Sequence, residues 1–299
     1  MNLTNSYIQL THSKIRYQQI GKGPDILFIH GCPGSVEDWD PMISTLSTKY
    51  KLTTYDRPGH GLSQTEKKNY SLENNAQTAL ELIKTLQLKN TLIVGHSYGA
   101  ATALFLAIQN LPEIKGYVLI ASPGYSPVDL DWITYILATP YLGRGFAELT
   151  ASWIGPHLIK KGLLNSFAIQ NANELPKNFL EKRIHLWCNS KVGITRSKEL
   201  IVLEKELMEM SPHYKNIQKK VWIIQGKQDD VTKAAWKLNA DIPNSQLIEF
   251  ENTGHYPHWI QPSKVIDIIH KASSIKPGFY VDGRDLLQYS ELKYNNLNL

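Results

Sequence analysis

The chain alternates between short apolar runs, typical of buried strands, and longer segments with apolar residues at helical spacing. Two alternating runs, SYIQL and KIRYQQI, end at the turn sequence GKGPD and predict an antiparallel hairpin at a sheet edge. ILFIH (26–30) follows and is nearly all apolar, as expected of a strand covered on both faces, and KLTTYD is a second such strand. The first part of the chain therefore predicts a sheet with a buried centre.

The same alternation continues along most of the chain. WDPMISTLSTKY predicts a helix, and residues 73–88 carry an apolar stripe at helical spacing. A further helix is predicted over 100–108, and further strands are predicted over 91–94, 116–122, 221–226 and 245–251. Strands that alternate with helices indicate an α/β fold with a mostly parallel sheet, helices on both sides and right-handed crossovers.

One long segment, residues 125–213, breaks this alternation. It has no strand pattern, and it lies between two predicted sheet strands. We expect a helical cap over the carboxyl ends of the strands, with most of its aromatic residues in the cap's own core and a few facing a pocket. These aromatics are Trp132, Tyr135, Tyr141, Phe146, Trp153, Phe167, Phe179 and Trp187. The predicted organisation is a core of residues 1–124 and 214–275, a cap of 125–213 and a polar tail of 276–299.

Composition and charge exclude several classes of protein. Lys plus Arg number 32 against 27 Asp plus Glu, a net charge of +5, with no basic block of the kind that follows a phosphate backbone, so we expect no nucleic-acid partner. The two cysteines, Cys32 and Cys188, lack metal-ligand spacing and predict neither a disulfide framework nor a zinc site. Signal-peptide and membrane-span patterns are also absent, so a cytoplasmic protein is expected; the oligomeric state stays open.

The stretch TLIVGHSYGAATALFLA places Ser97 between Gly95 and Gly99, where a predicted strand turns into a predicted helix. Such a sharp turn holds a serine in a strained backbone conformation with its hydroxyl directed away from the sheet, and small neighbours avoid collisions. Ser97 is therefore a candidate nucleophile.

Two further chemical groups follow predicted strands. QGKQDD places Asp229 or Asp230 after one strand, and NTGHYPH places His255 after the last. A serine hydroxyl needs a base with a pKa near the working pH, which histidine supplies, and a carboxylate fixes the histidine tautomer. The chain order Ser, Asp, His is that of α/β-hydrolases.

A fourth strand end carries HGCPGS. Negative charge on an attacked carbonyl oxygen needs preorganised donors, commonly two backbone N–H groups. The amide of Tyr98, after the candidate nucleophile, and the amide of Cys32 are suited to this role. Cys32 itself fits a tight turn, although its expected place beside Ser97 suggests that a thiol reagent could block the pocket.

These motifs together resemble those of serine-dependent α/β-hydrolases. They read HGCPG (30–34), DRPGHGLS (56–63), GHSYG (95–99), GKQD (226–229) and GHYP (254–257), and the resemblance covers about residues 7–273. It implies Ser97 as nucleophile, Asp229 as acid, His255 as base, and the amides of Cys32 and Tyr98 as oxyanion hole. The sequence departs from the family pattern at Gln261, where Glu is common, and in its tail.

Several other residues could compete for these roles. His258 lies where a helix should begin, Asp230 follows Asp229, and Asp129 or Asp131 is a remoter substitute for the acid. We expect His30 and His60 to order loops and His96 to pack beneath the nucleophile elbow, the sharp turn that holds Ser97.

The resemblance implies hydrolysis and leaves the bond type open. Serine at the elbow argues against epoxide hydrolases and haloalkane dehalogenases, which use aspartate there. HGCPG is similar to the HGGPG of prolyl aminopeptidases, which tend to have tryptophan after the serine and acidic cap residues; here the cap has Glu148, Glu174 and Glu181. We expect a small, apolar carboxylic ester as substrate and no metal or cofactor. Alternatives are an amidase or aminopeptidase, a carbon–carbon bond hydrolase, or a ligand-binding regulator.

Overall fold

A twisted sheet of mostly parallel strands forms the centre of the molecule. The computed structural model describes residues 4–66, 69–140, 142–149, 151 and 178–274. In these residues the strands are β1 (Ser6–Gln9), β2 (Ser13–Ile20), β3 (Asp25–Ile29), β4 (Lys51–Tyr55), β5 (Gln64–Thr65), β6 (Thr91–His96), β7 (Ile114–Ile120), β8 (Lys220–Gly226) and β9 (Ser245–Phe250).

The strand order is β1-β2-β4-β3-β6-β7-β8-β9, with β5 paired to β2. β1 and β2 form the predicted antiparallel edge hairpin, β2 is also antiparallel to β4, and every pair from β4 to β9 is parallel. All residues of β3 and β6 are buried, which explains their nearly continuous apolar sequences. The expected mostly parallel α/β sheet is thus confirmed.

Helices cover both faces of this sheet. Within the described residues the α-helices are α1 (Asp40–Leu46), α2 (Leu72–Thr85), α3 (Tyr98–Ile108), α4 (Trp132–Ala138), α5 (Leu142–Leu149), α6 (Asn178–Trp187), α7 (Ser190–Met210), α8 (Thr232–Asp241), α9 (Pro257–Ile260) and α10 (Pro262–Ser273), with 3₁₀ helices at Val36–Trp39 and Ser211–Asn216. One buried cluster joins the sheet to α2, α3, α7 and α8, and a second joins it to α1 and α10. Both cores are made of aliphatic and aromatic side chains, whose removal from water stabilises the fold.

Two local features were not predicted from the hydrophobic pattern. The short strand β5 depends on its pairing with β2, where Ser13 lies opposite Thr65, so no local pattern marks it. Helix α3 begins at Tyr98 rather than at residue 100, since the chain turns directly from β6 into the helix at Ser97.

The described residues between β7 and β8 are helical or irregular, as expected for the cap. Phe179 and Trp187 of α6 are buried and pack with Tyr256, which follows β9. Trp132 and Tyr135 of α4 are instead 63% and 55% exposed, so they do not belong to a cap core. Tyr141, Trp153, Phe167 and the tail 276–299 lie outside the described residues, and the domain boundaries remain predictions. Among the described helices, none is both long and apolar enough to cross a lipid bilayer.

Candidate active site

Ser97 lies on a tight turn between β6 and α3 with φ 52° and ψ −121°. A left-handed φ is unfavourable for serine and is retained only where the surrounding structure enforces it. Here the surroundings are very close: a Cβ on Gly95 would lie 2.4 Å from the Gly99 oxygen, and one on Gly99 would lie 2.1 Å from the Ile29 oxygen. Both glycines are required because the turn packs directly against its own helix and against the end of β3.

Asp229 and His255 are brought together from the loops that follow β8 and β9. His255 Nδ1 lies 2.9 Å from Asp229 Oδ2, and the same oxygen accepts a hydrogen bond of 2.9 Å from Gln225 Nε2. The Asp229 side chain is 6% exposed, whereas that of His255 is 20% exposed. The histidine therefore reaches partial solvent while the carboxylate behind it is shielded.

Electrostatics favour an ionised acid beside the histidine. Burial by itself would raise the pKa of Asp229, but His255 and two further hydrogen-bond donors hold that pKa below its usual value. Burial likewise opposes a charge on His255, and the Asp229 carboxylate outweighs it, so the pKa of His255 lies above its usual value. This arrangement stabilises an imidazolium next to a carboxylate.

The ends of β3, β6 and β9 meet at Ser97. His96 Nε2 lies 2.8 Å from the backbone oxygen of His255, which joins the turn to the histidine loop. A Cβ placed on Gly31 would lie 3.1 Å from Ser97 Cβ, so the Gly31 backbone packs directly against the serine. Four of the five motif segments, those of Gly31, Ser97, Asp229 and His255, thus converge at one end of the sheet.

The competing residues have other surroundings. His258 is fully buried, its ring lies 5.1 Å from that of Trp39, and burial lowers its pKa to about 3. Asp131 caps α4 by accepting from the Thr134 amide and lies 3.6 Å from Arg196. The His255 ring contacts the carboxylate of Asp229, which supports the preference of the motif for Asp229 over Asp230.

His30 and His60 order loops, as expected. The Arg57 amide donates to His30 Nε2 at 2.9 Å, so the proton of the neutral ring is on Nδ1, which donates to the Gly31 oxygen at 2.8 Å. Burial and Arg57 lower the pKa of His30 well below its usual value, in agreement with a neutral ring. His60 Nε2 lies 2.8 Å from Glu199.

Sequence reasoning missed a buried ion pair between the cap and the core. Glu199 of α7 contacts Arg57 through both carboxylate oxygens, at 2.6 and 3.1 Å. Asn75 donates to the same carboxylate at 3.1 Å, and the Cys32 thiol donates to it at 3.3 Å. Burial would raise the pKa of Glu199, but Arg57 and His60 outweigh it and hold that pKa at about 2.

A second buried ion pair links the cap to the same loop region. Arg183 of α6 contacts Asp38 at 3.0 Å, and its guanidinium lies 4.0 Å from the Phe179 ring and 4.6 Å from the Trp259 ring. Trp259 in turn donates to the Asp38 backbone oxygen at 2.7 Å. Residues 30–38, which follow β3, are therefore contacted by two different cap helices.

A sequence signal for Glu199 does exist. It lies on the buried stripe of α7, whose other members include Val192, Thr195, Leu203 and Leu207. A charged residue on a buried helix face indicates a buried partner. The other cap acids named in the sequence analysis do not take part in this pair: Glu148 is exposed and pairs with Arg144, Glu174 lies outside the described residues, and the side chain of Glu181 is not described.

The ligand atoms of Cys32, His60 and Glu199 lie within 4.8 Å of one another, a composition that could hold a metal ion. The Arg57 guanidinium lies among them, 3.1 Å from Glu199 and 3.2 Å from His60 Nε2, so a cation is already supplied by the chain. Burial and Glu199 also raise the pKa of the Cys32 thiol, which disfavours the thiolate that metals and thiol reagents require.

The fold and this site define the class of protein. The family model for the alpha/beta hydrolase fold matches residues 24–262, and the chain belongs to that family.

Several known proteins are similar over nearly the whole chain. The uncharacterized hydrolase YugF of Bacillus subtilis strain 168 is 24% identical over 263 residues, which cover 87% of this chain and 92% of YugF. The pimeloyl-[acyl-carrier protein] methyl ester esterase of Nitrosomonas europaea is 23% identical over 270 residues, covering 85% and 97%. The crystal structure of the enol-lactonase from Burkholderia xenovorans LB400 superposes with a TM-score of 0.71 at 16% identity, covering 90% of this chain and all of that one.

Proposed function

We propose that this α/β hydrolase cleaves small, apolar carboxylic esters through an acyl-enzyme, with Ser97 as nucleophile, His255 as base and Asp229 as acid. The observation that carries the proposal is the hydrogen bond of 2.9 Å between His255 Nδ1 and the shielded Asp229 carboxylate. His96, next to Ser97 in the turn, contacts the backbone oxygen of the same histidine. A base oriented by a carboxylate beside a strained serine is the arrangement that activates a hydroxyl.

In this mechanism His255 Nε2 takes the proton of Ser97 as the serine oxygen attacks the ester carbonyl carbon. The tetrahedral intermediate collapses, the carbon–oxygen bond to the alcohol breaks, and His255 gives its proton to the leaving alkoxide. Water then attacks the acyl-enzyme with His255 as base, which releases the carboxylic acid and restores the serine. Asp229 keeps its negative charge throughout and stabilises the imidazolium.

The oxyanion of each intermediate requires donors close to Ser97. The amide of Tyr98, the first residue of α3, and the amide of Cys32, next to the Gly31 backbone that packs on Ser97, are our candidates. Removal of one such donor costs on the order of 10²–10³ in turnover in serine hydrolases.

Two considerations favour an ester over an amine-bearing peptide. Glu199, the cap carboxylate described near this region, is neutralised by Arg57 and so is not available to bind a substrate ammonium group. One similar protein is named as a methyl ester esterase. No second candidate function has comparable support.

The test is pre-steady-state hydrolysis of p-nitrophenyl esters of increasing acyl length by the wild-type protein, Ser97→Ala and Ser44→Ala, the last changing an exposed serine on α1. We expect turnover in the wild type and Ser44→Ala and a loss of at least about a thousandfold in Ser97→Ala. A fluorophosphonate should add to the peptide that contains residue 97. Wild-type protein that neither turns over nor is labelled would contradict the proposal and favour a binding role.

A further inference from the structure

The peptide group between Gly31 and Cys32 is held firmly on its carbonyl side. The Gly31 oxygen accepts from Arg57 Nη2 at 3.0 Å and from His30 Nδ1 at 2.8 Å, and Arg57 Nε donates to the His30 oxygen at 3.1 Å. The N–H of this same peptide group is that of Cys32, a proposed oxyanion donor. Because a peptide is planar, donors that fix the carbonyl also fix the direction in which the N–H points.

The second proposed donor residue also touches Arg57. The Arg57 guanidinium lies 4.4 Å from the centre of the Tyr98 ring, and the Tyr98 hydroxyl donates to the Tyr70 oxygen at 3.2 Å. One buried guanidinium therefore contacts both the Gly31–Cys32 peptide group and the Tyr98 ring.

Arg57 is in turn held by the cap. The carboxylate of Glu199 accepts hydrogen bonds from both terminal nitrogens of Arg57 and another from the Cys32 thiol. A bidentate pair of this kind fixes the plane of the guanidinium as well as its position. Since Glu199 lies on α7, these contacts form only when that helix is docked on the core.

From these contacts we infer that Glu199 is a positioning residue, which couples docking of the cap to assembly of the oxyanion hole through Arg57 and the Gly31–Cys32 peptide. The inference rests on the proposed function. It predicts that loss of the Glu199 carboxylate weakens stabilisation of the transition state while ground-state binding of the substrate changes little.

The same helix offers a matched control. Glu206, two turns further along α7, also anchors the cap to the core, because its carboxylate accepts from the Leu72 amide at 2.8 and 3.1 Å. Leu72 begins α2, and this contact does not involve residues 30–32 or Arg57. Glu206→Gln therefore weakens a docking contact of α7 while the contacts of Arg57 with Glu199 and with the Gly31–Cys32 peptide group stay in place.

The experiment compares a p-nitrophenyl ester with its thionoester, in which sulfur replaces the carbonyl oxygen. Sulfur is larger and accepts hydrogen bonds poorly, so the oxyanion donors accelerate hydrolysis of the oxygen ester far more than that of the thionoester. The ratio of kcat for the oxygen ester to kcat for the thionoester therefore reports on these donors. Wild type, Glu199→Gln, Glu199→Asp and Glu206→Gln are compared, after thermal melting has shown which of them are folded.

We expect Glu199→Gln to lower kcat for the oxygen ester about tenfold or more with KM within about twofold, and to reduce the ratio at least about fivefold, since small misplacements of catalytic groups are costly. Glu199→Asp, which keeps the charge, should recover part of the ratio and serves as the test if Glu199→Gln does not fold. Glu206→Gln should keep the wild-type ratio.

Three outcomes would overturn the inference: a wild-type ratio in folded Glu199→Gln, an equal loss of ratio in Glu206→Gln, or failure of both Glu199 variants to fold, which would make the contact purely structural. Its failure is distinct from that of the proposed function, because the latter would appear as wild-type protein without Ser97-dependent turnover.

Discussion

Two acid–base pairs lie close to the candidate nucleophile, and they differ in almost every physical respect. Asp229 and His255 both belong to the core, the histidine is partly exposed, and its charge can change near neutral pH. Glu199 and Arg57 join the cap to the core, both side chains are at most 1% exposed, and both stay charged across that range because the pKa of Glu199 is about 2 and that of Arg57 is raised.

This contrast separates the pair suited to proton transfer, Asp229 and His255, from the pair suited to positioning backbone donors, Glu199 and Arg57. A pair that exchanges a proton during turnover needs a group with a pKa near the working pH. A pair that positions backbone donors needs constant charge and rigid geometry, which a buried bidentate guanidinium provides. Substitutions in the two pairs should therefore affect different observables.

The largest expected effect lies in the proton-transfer pair. Asp229→Asn should lower kcat by about 10⁴, since the amide no longer enforces the histidine tautomer or stabilises the imidazolium. Steady-state kinetics on a p-nitrophenyl ester would measure it, with Asp230→Asn as the neighbouring control that retains nearly full activity. The reverse ranking would show that Asp230 is the acid.

An intermediate effect is expected on stability from the cap–core pair. Glu199→Gln leaves Arg57 buried without its counter-charge and should cost about 3–5 kcal/mol in the free energy of unfolding. The double variant Glu199→Leu with Arg57→Met should lose less than the sum of the single variants, as measured by urea unfolding. In contrast, Glu209→Ala, which breaks an exposed pair with Lys205, should cost less than about 1 kcal/mol. Additive losses at Glu199 and Arg57 would contradict an energetic coupling between them.

The smallest expected effect is a displacement of the pH profile. His255 must be neutral to accept a proton, and its pKa is raised above 6.5 by Asp229, so kcat/KM should be full above that raised pKa and fall as the pH decreases through it. In Asp229→Asn the midpoint of the residual activity should move to lower pH, because the charge and hydrogen bond of Asp229 no longer oppose the effect of burial on the pKa of His255 and only the charge of Asp230 still does. Glu199→Gln should leave the midpoint unchanged. A midpoint that shifts equally in both variants would show that the two pairs are not independent.

The strand ends could be interpreted from sequence because their determinants are local. Ser97, Asp229 and His255 each follow a run of apolar residues, and the carboxyl ends of parallel strands share one edge of a sheet. The glycines at 95 and 99 also indicated a tight turn, which the structure shows to be required by contacts with the end of β3.

The cap–core pair could not be predicted in the same way. Glu199 and Arg57 are 142 residues apart, and no periodicity relates a charge on α7 to a loop after β4. A glutamate on a buried helical stripe indicates that a buried partner exists, but the sequence does not identify that partner. The exposure of Trp132 and Tyr135 likewise depends on how α4 lies on α7, so the sequence could not show which of the cap aromatics lie outside a cap core.

The insertion of the cap between β7 and β8 has a consequence for protein engineering. These strands are direct neighbours in the sheet, with Ile120 opposite Ile224, so exchange of the intervening segment for that of a relative looks simple. The core, however, contains Arg57 and Asp38, whose partners Glu199 and Arg183 belong to the segment removed. A transplanted cap must therefore bring an acid and a base at equivalent places, or the graft requires compensating changes at positions 57 and 38.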